Sequence, residues 1–268
     1  MNVKRKEWDL IVDSDPGEGS WNMAVDEFLF QSIDAEKPQT ILRFYSWKRP
    51  TVSVGYSQNA AGIIDLDFCR GHGIDIVRRT TGGKLVLHHE EVTYSLVSTD
   101  NEIFPPTVTD SYRKVSEALM VGLRAMGLEP HLAKLPPDEY VRGHRLCFSY
   151  PARNEVEVNG KKIIGSAQKR TGSKFIQHGL IPLQNSEKLL SSVALFKGKE
   201  DIRMISLSQA LGKEADFDRT VPILCAGISE YFDVDLNRRR LTQEEKLGIR
   251  QIQRKRYASP DWTYKVRD

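Results

Sequence analysis

The stretch from Glu155 to Ile164, EVEVNGKKII, leaves the backbone little choice. Asn159-Gly160 sits between two β-prone runs, and a two-residue type I′ turn needs positive φ at both central positions, which Asn and Gly tolerate best. The spacing predicts a hairpin that folds the strand carrying Lys162 back on the strand before it. Cys147 lies just upstream, and the hairpin is expected to bring it beside the Lys162 ammonium. A nearby cation favours the thiolate, which is the nucleophilic form of cysteine. That pairing makes the stretch a candidate acyl carrier.

The rest of the chain supplies elements for one large domain. Trp8 to Asp13 reads as a strand. Trp21, Val25, Phe28 and Leu29 recur at helical spacing behind Ser20, a candidate N-cap. Thr40 to Tyr45, Thr51 to Tyr56, Asp75 to Arg79, Leu85 to His88, Val92 to Ser98 and Phe175 to Leu183 are β-rich runs. Between them, Ala61 to Arg70 is weakly helical, and Asp110 heads a helix whose stripe is Tyr112, Val115, Leu119, Leu123 and Met126. After Leu183 the pattern turns helical to the end, with a capping box at Thr242 and Glu245. The expected fold class is α/β (α+β), a mixed sheet with surrounding helices. We divide it into a catalytic domain over residues 1–215 and a helical extension over 216–268 packed on the same domain.

Composition narrows the function classes. With 40% hydrophobic and 28% charged residues the chain is neither fibrous nor disordered. No apolar run approaches the roughly 18 residues of a membrane span, and the N-terminus lacks the apolar stretch of a signal peptide, so no membrane association and a cytoplasmic location are expected. The net charge of +3 is too balanced for nucleic acid as a partner. Three widely spaced cysteines, Cys69, Cys147 and Cys225, fit a reducing compartment and lack zinc-site spacing. His88 and His89 lack metal-ligand spacing as well, so no metal is expected. Cys69 and Cys225 lie among apolar residues and are read as packing.

A second distinctive stretch is Val77 to Ser95, VRRTTGGKLVLHHEEVTYS. Paired glycines let a backbone approach a ligand closely, and Arg78 and Arg79 suit a carbonyl or phosphate. Neither the P-loop nor the G-x-G-x-x-G spacing is present. On physical grounds alone Gly82-Gly83 is equally a tight turn or a ligand loop.

Taken together, NMAVDE (Asn22 to Glu27), RFYSW (Arg43 to Trp47), SVGYSQN (Ser53 to Asn59), RRTTGG with LHHEEVTYS, NGKKIIGSAQKR and QHG (Gln177 to Gly179) resemble the biotin/lipoate protein ligase catalytic family, in its lipoate-protein ligase A-like branch. The resemblance runs in order over roughly residues 8 to 183. It implies the mixed-sheet catalytic fold of that family. The Cys-Phe context at Leu146 to Phe148, upstream of the Lys-Ile-Ile-Gly-Ser-Ala-Gln segment, is similar to that of its cysteine-dependent octanoyltransferases.

The resemblance implies that Cys147 takes an octanoyl group from octanoyl-acyl carrier protein as a thioester. Lys162, rather than Lys161, would lower the thiol pKa and orient the acyl carbonyl. The acceptor would be a lysine of a lipoyl domain, such as that of glycine cleavage H protein. No cofactor is needed, because a thioester is already activated. Residues expected to bind substrate are Arg78, Arg79, Gly82, Gly83, His88, Gly165, Ser166, Ala167 and His178. The alternative is an ATP-dependent lipoate or octanoate ligase using ATP and Mg, which Arg153-Asn154-Glu155 also resembles. The basic run from Arg238 to Arg256 is either a wet helix face or a docking patch for acidic carrier domains.

Overall fold

Eleven strands carry the described part of the chain, which in this computed structural model comprises residues 5–133, 154–195 and 203–265. They are β1 (Lys6–Val12), β2 (Thr40–Tyr45), β3 (Thr51–Val54), β4 (Asp75–Arg78), β5 (Val86–His88), β6 (Glu91–Ser98), β7 (His131–Leu132), β8 (Val156–Val158), β9 (Lys161–Thr171), β10 (Lys174–Pro182) and β11 (Val234–Arg238). The helices are α1 (Gly19–Ser32), α2 (Leu66–Gly71), α3 (Val108–Ala125), α4 (Glu187–Val193), α5 (Leu207–Leu211), α6 (Phe217–Phe232), α7 (Gln243–Ile252) and α8 (Pro260–Thr263). The strands form an eight-stranded mixed sheet, β11-β1-β2-β6-β10-β9-β8-β7, and a three-stranded sheet, β4-β3-β5. This is the expected mixed sheet with helices around it.

Strand alternation explains the layering. In β2, Ile41 and Leu42 point to opposite faces, as do Leu96 and Val97 in β6 and Phe175 and Ile176 in β10. Leu42, Leu96 and Phe175 pack with Val115, Leu119 and Leu123 of α3 and with Val221, Leu224 and Ile228 of α6. On the other face, Ile41, Val97 and Ile176 pack with Met23, Val25 and Leu29 of α1 and Ile249 of α7. A third cluster joins Val52, Val54 and Leu87 of the small sheet to Cys69 of α2 and Leu190 of α4. The small sheet therefore has its own apolar support.

The hairpin at Asn159-Gly160 forms between β8 and β9, with φ of 53° and 69°. The Thr242–Glu245 capping box also forms at the start of α7. Two helix starts differ from expectation. α1 begins with Glu18 rather than Ser20 at the N-cap, and Thr107, not Asp110, caps α3 by accepting from the Asp110 backbone N–H. The C-terminal part is not purely helical, because β11 adds parallel to β1 with Lys6 opposite Val234. Only Val234 is buried in that five-residue strand, so it carries too little alternation to announce itself in sequence. Among the described residues no helix is long and apolar enough to cross a membrane.

Candidate active site

The two sheets face each other across a narrow cavity that is partly open to solvent. The large sheet contributes Tyr45, Thr93, Gly165, Ser166, Ala167, His178, Gly179 and Leu180, the small sheet with its loop contributes Ser53, Arg79, Gly83, Val86 and His88, and Met23 comes from α1. On the sheet side the wall is set by β9–β10 register, in which Ala167 lies opposite His178 and Ser166 opposite Gly179. A Cβ on Gly179 would come within 2.3 Å of Ser166 Oγ and 2.6 Å of the Gly165 carbonyl oxygen. Glycine is thus required for close approach. On the loop side Gly83 takes φ of +92°, and a Cβ on Gly55 would meet the Gly83 carbonyl oxygen at 2.1 Å.

Most polar side chains of the lining turn toward protein partners. His178 Nδ1 lies 3.2 Å from Asp26 Oδ2 and its Nε2 lies 2.7 Å from Thr81 Oγ1. Burial would raise the Asp26 pKa, but hydrogen bonding from His178 and the Arg43 charge hold it below the ordinary carboxylate value. An ionised carboxylate only accepts, so Nδ1 carries the proton and Nε2 accepts from the Thr81 hydroxyl. Burial pushes His178 below its ordinary pKa despite Asp26, with Arg79 and His88 adding to the effect. Tyr45 and Ser95 donate to the same Asp26 carboxylate at 2.9 and 2.8 Å. Arg43, fully buried, pairs Asp26 at 2.8 Å and Asp13 at 2.7 Å. Those opposite charges keep the guanidinium charged against the cost of its burial.

His88 is held in a parallel way. Its Nδ1 lies 2.7 Å from Glu91 Oε1, which also accepts from Trp47 Nε1 and Thr93 Oγ1. Its Nε2 lies 2.8 Å from Ser53 Oγ, to which Arg79 donates. The Trp47 ring stacks on the imidazole at 4.1 Å. Arg79 further donates to the carbonyls of Gly82 and Lys84, so its fork shapes the glycine loop. Ser166 and Tyr94 share a hydrogen bond of 2.7 Å, and burial pushes Tyr94 up to about 12. With hydroxyls and imidazoles so engaged, the space presents apolar surface to a ligand.

Lys162 lies on the same strand as the cavity wall, buried, with Nζ 2.6 Å from Glu155 Oε1. It is not in the cavity lining. A buried lysine and carboxylate at this distance form one unit, in which each charge offsets the cost of burying the other. Cys147 and Arg153 lie outside the described residues. For the other two cysteines, burial pushes Cys69 up to about 11, with Asp65 adding to it, and Cys225 up to about 12. Neither is poised as a thiolate at neutral pH.

Of the residues expected to bind substrate, Arg79, Gly83, His88, Gly165, Ser166, Ala167 and His178 meet around one cavity, whereas Arg78 and Gly82 do not line it. Arg78 points out of the opposite side of β4 and donates to main-chain carbonyls of Gly55, Tyr56 and Gln58. Gly82 offers its carbonyl to Arg79. Sequence reading did not single out Asp26, Tyr45, Glu91, Thr93 or Gly179. The available signal was Asp26 at a buried position of an apolar helix, which demands a partner charge.

A model of the lipoyl protein ligase A/B catalytic domain matches residues 18–229. The octanoyltransferase LipM of Carboxydothermus hydrogenoformans is 37% identical over 266 residues, spanning 95% of this chain and 98% of that one. The octanoyltransferase LipM of Bacillus subtilis is 32% identical across 98% of this chain and 100% of its own. Among solved structures, a T. acidophilum protein assigned as a lipoate protein ligase and carrying bound lipoic acid matches with a TM-score of 0.80 and 25% identity, over 96% of this chain and 99% of that one. The fold is thus that of the lipoate-protein ligase structures. The chain belongs to the lipoyl protein ligase A/B catalytic domain family, as an acyltransferase.

Proposed function

We propose that this enzyme moves an octanoyl group from octanoyl-acyl carrier protein, through a thioester on Cys147, to a lysine ε-amine of a lipoyl domain such as that of glycine cleavage H protein. The observation that carries the proposal is the cavity between the sheets, floored by Gly165, Ser166 and Ala167, in a chain aligned along nearly its whole length with octanoyltransferases. Burying the hydrocarbon part of an octanoyl group at about 0.8 kcal/mol per methylene supplies about 5 kcal/mol of binding.

The chemistry has two balanced steps. The Cys147 thiolate attacks the donor thioester, the C–S bond to the carrier breaks, and the carrier thiolate leaves and takes up a proton. The acceptor amine then attacks the enzyme thioester, the C–N bond forms, the amine gives up a proton, and the Cys147 sulfur departs as thiolate. Lys162 would donate to the acyl carbonyl oxygen and favour the Cys147 thiolate. Glu155 fixes the Lys162 ammonium in place for that task. The raised pKa values of Cys69 and Cys225 support assigning the nucleophile to Cys147.

Two assays on one preparation test the reaction class. Octanoyl-acyl carrier protein and H protein without ATP should yield octanoylated H protein. Transfer only from free octanoate with ATP, accompanied by pyrophosphate release, would overturn the transferase in favour of a ligase.

A further inference from the structure

Neither the loop 55–58 nor the C-terminal segment 256–265 gives a side chain to the cavity lining, yet both are fastened to its walls. Arg78, fully buried at the end of β4, joins them. Its guanidinium donates to the carbonyls of Gly55, Tyr56 and Gln58 at 2.7 to 3.0 Å. It also donates to those of Trp262, Thr263 and Lys265 at 2.9 to 3.0 Å. Trp262 Nε1 donates back to the Arg78 carbonyl at 3.0 Å. A planar fork satisfied by six main-chain oxygens holds two backbone segments at fixed separation, which a lysine's point charge cannot do.

The loop 55–58 then bears directly on the cavity wall. Gly55 packs backbone to backbone against Gly82 and Gly83, with no room for a Cβ, and the Tyr56 N–H donates to the Thr81 carbonyl at 2.9 Å. At its other end the C-terminal segment reaches the second wall. The Arg256 guanidinium lies over the Trp262 ring at 4.4 Å and pairs with Glu27 of α1, the helix that supplies Met23 to the cavity. One strap thus links the glycine-loop wall to the α1 wall from outside.

We propose that the segment 256–265 sets the width of the acyl cavity, with Trp262 and Arg78 as positioning residues that determine how closely the cavity fits the acyl chain. The inference rests on the acyl reading of the cavity. Loosening the strap lets Gly83 and Met23 move apart, and a wider slot makes fewer contacts with an eight-carbon chain while admitting longer ones. Fit of about one methylene in an apolar pocket is worth about tenfold in discrimination.

The test measures steady-state transfer from octanoyl- and dodecanoyl-acyl carrier protein by the parent, Trp262→Ala and Trp262→Phe. Trp262→Ala should raise KM for the octanoyl donor about tenfold with kcat within about twofold, and reduce the preference for octanoyl over dodecanoyl by a similar factor. Trp262→Phe, which keeps a ring under Arg256 but loses the N–H to Arg78, should fall between. If Trp262→Ala does not fold, Trp262→Phe decides alone. A folded variant with parental KM and chain-length ratio, or one whose kcat falls while KM and the ratio stay put, overturns the strap. A parent that transfers no octanoyl group overturns the acyl reading itself, and the inference with it.

Discussion

The two walls of the cavity are built on different principles. The wall from β9 and β10 is a regular antiparallel ladder in which Ala167 faces His178 and Ser166 faces Gly179, so its shape follows from register. On the opposite wall the glycine loop, unlike β3 and β5 beside it, has no ladder of its own. It is held by arginine forks, Arg79 on the inside through the carbonyls of Gly82 and Lys84 and Arg78 on the outside through the loop 55–58. A ladder resists displacement at every rung, whereas a forked loop moves when one anchor is lost. The sheet wall should therefore respond to mutation in stability, and the loop wall in substrate fit.

The largest effect is expected where the sheet wall rests on buried charge. Asp26→Asn leaves Arg43 with half of its compensation and breaks the bond that orients His178, and it should lower unfolding free energy by about 3–5 kcal/mol in denaturant titration. A loss below about 1 kcal/mol would mean that the cluster is dispensable. Next come two alanine substitutions that separate the walls. Gly179→Ala forces a methyl onto Ser166 and Gly165 between paired strands, at a cost of about 1–3 kcal/mol in stability. Gly55→Ala forces one onto Gly83, and the loop should yield, raising KM for the acyl donor with the smaller loss in stability. The reverse ranking would break the contrast between the walls.

The smallest effect is in pH dependence. His178 has a folded pKa below its ordinary 6.5, so below that pH the unfolded chain binds a proton that the folded chain does not. Its stabilisation is complete above about 6.5 and declines as pH falls. Asp26, also depressed, adds a second decline below its ordinary 3.8, as pH drops through the folded value. Melting temperature should fall as pH drops below about 6.5, and a flat profile there would argue that His178 titrates normally.

The contrast also marks what the sequence discloses. The hairpin was readable because Asn159-Gly160 admits few conformations, and the strand after it carried Lys162 and the Gly165–Ala167 segment in an order fixed by alternation. The mixed sheet was readable from β-rich runs. Arg78 and Arg79 were not separable in that way, because adjacent arginines carry the same composition signal and only the strand end decides which side chain faces which space. Asp26 on an apolar helix calls for a partner charge, but Arg43 and Glu155 lie in ordinary-looking polar positions, and hydropathy does not say which charge is buried with which partner. β11 was missed because five residues with one buried side chain offer no period.

The central claim is that octanoyl transfer passes through Cys147, and intact-mass measurement of the protein after incubation with octanoyl-acyl carrier protein alone addresses it most directly. The account predicts a single octanoyl adduct that hydroxylamine removes and that Cys147→Ser, with an oxygen in place of the thiol, does not form as a hydroxylamine-labile thioester. Octanoyl transfer at the parental rate by Cys147→Ala would contradict it.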